Sequence, residues 1–137
     1  MASKAVKILI IVFVFIFLLI FLYRLWPNVP VIANKGGEIP NANVDVNQAI
    51  EVVRNSDIYN QFDKWHRIER IFAKRLNPTE DKARIDYVNK KISKVIDYDI
   101  YQISVSTNGM CIGTSQIDFY VDPVDGEILK TEEWIIC

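Results

Sequence analysis

The spacing of apolar and polar positions changes character several times along the chain, and each change marks an element. Residues Ile8 to Tyr23, ILIIVFVFIFLLIFLY, are continuously apolar and are bracketed by Lys7 and Arg24. The run is longer than a signal-peptide core, about 7 to 15 residues, and shorter than a comfortable spanning helix of about 20. Lys7 and Arg24 can extend along a bilayer to the headgroups, and Tyr23 and Trp26 suit its interface. The pattern predicts a transmembrane anchor within residues 1–26. A cleaved signal peptide, with the small-residue site Val31–Ala33, is the alternative.

Residues 27–44 break the periodicity. Trp26 to Val44, WPNVPVIANKGGEIPNANV, mixes prolines, glycines and asparagines with scattered apolar residues and reads as a stalk. From Asp45 the apolar positions recur with helical spacing: Val46, Ala49, Ile50 and Val53 share a face that Arg54–Asp57 can end. Ile58, Phe62, Trp65, Ile68 and Phe72 continue the stripe and predict an amphipathic helix of about 20 residues. Asn77, Pro78 and Glu80 form a helix start, and Ile85, Val88, Ile92 and Val95 predict a third helix over about 78–95. A strand through Ala83, Ile85 and Tyr87 is the alternative there.

Beyond Val95 the period becomes two. Ile96 to Thr107 predicts a strand, Asn108–Gly109 a hairpin turn, Met110 to Val121 a second strand, and Glu127 to Cys137 a third. The expected fold class is α+β: an N-terminal transmembrane helix, then an α+β domain over 45–137. In it two or three helices pack on one face of an antiparallel β-meander of three or four strands.

Charge refines this picture. The formal net charge is −1, but all 17 acidic residues follow Arg24, so the part beyond the apolar run carries 13 basic and 17 acidic residues. That balance argues against nucleic acid as a partner. Lys4 and Lys7 precede the run, and the positive-inside tendency places the short N-terminus in the cytoplasm and the domain outside the cell membrane. Within the domain, Lys64 to Lys94 is strongly basic and Asp97 to Cys137 strongly acidic. On the predicted helix, Lys64, Arg67, Arg70, Lys74 and Arg75 form a candidate basic face for anionic headgroups or an acidic partner. A solvated surface attracted to the acidic sheet is the plainer reading.

Candidate chemistry is sparse. Asp122, Pro123, Asp125 and Gly126 could suggest a calcium loop. With Gly126 in the glycine position of an EF-hand, however, Pro123 and Val121 would fall where ligands are needed. A turn fits better: Pro123 presets φ and Gly126 supplies the left-handed position. If Val121 pairs with Glu127, Cys111 lies opposite Cys137; if Asp122 pairs with Glu127, the cysteines are offset by one. Either register predicts a disulfide in an oxidising compartment. His66 is the only histidine, so neither a Cys–His nucleophile nor a zinc site assembles readily. No phosphate-binding glycine loop or Ser–His–Asp order is present, and the pattern predicts no catalytic residues, metal or cofactor.

The segments YDIYQISVSTNG, from Tyr98, and IDFYVDPVDGEIL, from Ile117, resemble the closing strands of PepSY-like and cystatin-like extracytoplasmic domains. Tyr120, Val121, Asp122, Gly126 and Ile128 match the final strand and turn, with Asp125 where threonine is common. The helix-rich first half also resembles NTF2-like domains of secretion or conjugation assemblies. These resemblances imply a non-enzymatic, membrane-anchored module that binds or regulates another envelope protein. A structural subunit of a transport or secretion complex and a peptidase inhibitor are the alternatives.

Overall fold

A computed structural model describes residues 3–26, 29–34, 36–107 and 115–135. It has the α+β architecture expected. The apolar run lies in α1 (Lys4–Leu25), 22 residues capped by the Ser3 hydroxyl, roughly 33 Å long at 1.5 Å per residue. That is enough to cross a bilayer core of about 30 Å, and each residue of α1 is exposed.

The stalk expectation gives way next. Val31–Asn34 form β1, an edge strand that lies parallel to β2 (Arg70–Leu76), with Val31 opposite Arg70 and Asn34 opposite Ala73. Further along, Ile39 and Val44 pack on the core, and the Val44 amide donates to the Pro123 carbonyl at 2.9 Å. Residues assigned to a spacer are therefore part of the domain. Their scattered apolar side chains carry no usable period because one short strand and two isolated contacts use them.

α2 (Val46–Arg54) follows the expected span. It opens with a capping box in which Asp45 accepts from the Gln48 amide and Gln48 accepts from the Asp45 amide, satisfying two orphan donors. α3 (Asp57–Trp65) starts on the Ser56 hydroxyl. It stops at His66, halfway along the predicted long helix. Residues beyond it become β2, because pairing with β3 (Ile100–Ser106) along seven positions outweighs local helix propensity. The strand also buries Ile71 and Ala73 on one face and Leu76 on the other, which a single helical stripe would not do.

Asn77 caps as expected, accepting from the Thr79 and Glu80 amides, but it closes a turn. The helix itself, α4, is Lys82–Ile92, so the helix reading prevails over the strand. β4 (Gln116–Val121) and β5 (Ile128–Trp134) complete a sheet ordered β1-β2-β3-β4-β5, antiparallel except at β1. The Asn108–Gly109 turn lies outside the described residues.

The core has two parts, a correction to helices on one face. α2 and α3 cover the face carrying Ile71, Ile103, Val105, Phe119 and Val121. α4 covers the opposite face with Ile85 and Val88 against Leu76, Ile100 and Tyr120. The sheet register aligns Val31, Arg70, Ser106, Gln116 and Trp134 at one end. This is the end at which the chain arrives from α1, and the turn after β4 closes the other end.

Candidate functional site

The turn after β4 is held by side chains from three segments. Gly126 has φ of +76° and donates its amide to the Asp122 carbonyl at 2.9 Å. A Cβ there would meet Val44 and Val52 at an ordinary 3.6 Å, so backbone conformation is what selects glycine. Asp122 is buried, and its Oδ2 accepts from Tyr98 Oη at 2.7 Å and Lys94 Nζ at 3.2 Å while Oδ1 accepts from the Val124 amide at 2.9 Å. Burial alone would push this carboxyl up. The Tyr98, Val124 and Lys94 hydrogen bonds outweigh it and hold the carboxyl below its ordinary range. Asp125 accepts from the Glu127 amide at 2.9 Å. Both carboxylates therefore have partners within the fold, and the stretch is a turn that fastens together the α4–β3 connection and the segment before α2.

The turn also fixes the register on which the cysteine pairing depends. Near it the pairing is Val121 with Ile128, as in the second of the two expected registers, but a bulge between Tyr120 and Val121 advances it to Tyr120 with Lys130 and Gln116 with Trp134. The register assumed for bridging therefore does not continue up the hairpin. Cys111 and Cys137 themselves lie outside the described residues.

The candidate basic face is dispersed, because half of its helix is a strand. Lys64 is on α3, Arg67 in the loop after it, and Arg70, Lys74 and Arg75 on β2, where Arg75 points to the opposite face from Arg70 and Lys74. Lys74 pairs with Asp81 at 3.3 Å and Arg75 with Asp99. Together with Arg84–Glu132 at 3.5 Å and Lys94–Asp122 at 3.2 Å, the Arg75 pair joins the basic half of the domain to the acidic half. Part of the charge asymmetry is thus satisfied internally.

Three features had no signature in the sequence. Asp118 is buried on the face opposite Phe119 and accepts from Ser104 Oγ at 2.6 Å, Gln116 Nε2 at 2.9 Å and Trp134 Nε1 at 2.8 Å. This cage ties β3, β4 and β5 together. Next to it, Tyr120 Oη donates to Glu132 at 3.2 Å, and burial pushes the Tyr120 phenol well above its ordinary value. The second feature is a groove of about 460 Å³ between α3 and the β4–β5 edge, lined by Ile58, Phe62, Trp65, His66, Ile117 and Glu133. His66 caps α3 with its ring 5.1 Å from that of Phe62. The third is a contact back to the apolar helix: the Arg67 guanidinium lies over the Tyr23 ring at 4.9 Å and donates to its hydroxyl at 2.7 Å.

Among the described residues no group of three or more His, Cys, Asp or Glu side chains could hold a metal ion. Comparison of the chain with protein-family models, curated proteins and solved structures finds no match.

Proposed function

We propose that this is a single-pass membrane protein whose domain lies outside the cytoplasm and acts without catalysis by binding another envelope protein. The observation that carries this reading is the groove between α3 and β5, whose exposed rim of Ile58 and Trp65 stands over buried Phe62 and Ile117 beside an edge strand. An extended segment of a partner could lie in that groove and along β5, gaining main-chain hydrogen bonds from the strand and specificity from the apolar floor. Lys4 and Lys7, in the first turns of α1 ahead of its apolar run, support a cytoplasmic N-terminus. Retention of α1 is supported by β1: cleavage after Ala33 would remove most of an edge strand whose Val31 amide donates to the Glu69 carbonyl at 2.9 Å.

A photo-crosslinking residue at Ile58 should yield one discrete envelope-protein adduct in intact cells, lost when Gln61→Arg fills the groove mouth. The same probe at Val124, at the far end of the sheet, should yield none. An adduct that ignores the groove substitution, or equal labelling from both positions, contradicts the reading. Exchange of α1 for an unrelated spanning helix should leave the adduct in place.

A further inference from the structure

The exposed apolar residues of the domain are unevenly placed. Trp65 is 76% exposed, Val29 81%, Val31 66% and Ile135 66%, and all four lie at the end of the sheet where the chain arrives from α1. Trp65 immediately precedes the segment His66–Arg67, and Arg67 is the residue stacked on Tyr23 at the end of α1. Only five residue steps separate Trp26 from Val31, and a fully extended chain of that length reaches at most about 18 Å. This end of the domain is therefore leashed to the surface from which α1 emerges.

Its chemistry fits that surface. Trp and Tyr rings with an apolar body and a polar edge favour the headgroup level of a bilayer, as do Lys and Arg on long stems. Lys64 lies over the Trp65 ring at 5.9 Å, Arg67 and Arg70 follow shortly after it in the chain, and Arg24 adjoins the Tyr23 that Arg67 stacks on. Asp63, Glu69 and Glu133 are at the same end, so the charge excess is small and the apolar and aromatic surface supplies most of the attraction. At the opposite end, the large exposed apolar residues are the isolated Val95 and Val124.

We infer that the α1 end of the domain is seated in the interfacial layer of the lipid surface, with Trp65 at the boundary between headgroups and acyl chains. The groove, whose membrane-side rim is Trp65, then opens sideways at the headgroup layer, within reach of a partner in the same membrane. This inference needs α1 to span the bilayer and is independent of the partner's identity.

The test uses the full chain in vesicles whose acyl chains carry bromine near the headgroups. The difference in fluorescence quenching between wild type and Trp65→Phe isolates Trp65. In the Trp65→Phe background, Val124→Trp reports the far end. Both positions are exposed, so neither change should disturb folding. Trp65 should be quenched several-fold more strongly than the tryptophan at 124. Equal quenching, or none at either position, overturns the seat, including the case in which Trp65 is covered by a protein instead. Flotation of the protein with the vesicles reports insertion of α1 separately, so failure of the anchor is distinguished from failure of the seat.

Discussion

At the scale of single residues, Asp122 is the most consequential polar group. Its native carboxyl lies below the ordinary carboxylate value, so the stability it contributes is present above that value and is lost as pH falls through the folded-state value. Asp122→Ala should destabilise the domain by about 2–3 kcal/mol near neutrality, because it strands Tyr98 and the Val124 amide. In denaturant unfolding at a series of pH values, the gap between wild type and this variant should narrow on acidification; a gap constant with pH would contradict the assignment. Gly126→Ala should cost about 1 kcal/mol from backbone conformation alone. The turn was legible because proline and glycine occupy positions with fixed dihedral requirements. The partners of Asp122 were not, since Lys94 and Tyr98 reach it only after α4 and β3 pack.

At the scale of elements, the informative failure is the stretch Ile68 to Leu76. Ile58, Phe62, Trp65, Ile68 and Phe72 satisfy a helical stripe, yet the chain leaves the helix at His66 and enters the sheet. Periodicity counts local side chains, whereas β2 is selected by strands on both sides of it that are distant in sequence. The two arrangements rank truncations differently. In the sheet, Ile71 is fully buried and Trp65 mostly exposed. Ile71→Ala should therefore destabilise by about 2–4 kcal/mol, and Trp65→Ala by no more than about 0.5 kcal/mol. Chemical denaturation of the two variants in one detergent checks the order, and the reverse order would restore the long helix. α2 and strands β3 to β5 were legible because their patterns run long enough without competition, and α4 was legible as a helix beside a competing strand alternation through Ala83, Ile85 and Tyr87. β1 was not, because four residues in a proline- and glycine-rich stretch carry too little pattern to register.

At the scale of the whole molecule, the domain is built from a basic half and an acidic half that meet through Arg75–Asp99, Arg84–Glu132 and Lys94–Asp122. Part of the charge segregation seen in the sequence is thus used in internal pairing, and the proposed recognition surface is the groove and the end nearest α1. The groove was invisible in the sequence because Ile117 and Glu133 join α3 only through the sheet register. The same register places Val31–Asn34 of the supposed stalk in an edge strand, and the proposed seat of the domain at the lipid surface rests on that short connection to α1. Amide hydrogen exchange across Val31–Asn34, measured on the full chain in lipid nanodiscs, tests this most directly. Alternate amides of β1 should be protected together with those of β2. Exchange across β1 as fast as in an unstructured chain, while β2 to β5 stay protected, would contradict it and return these residues to a stalk.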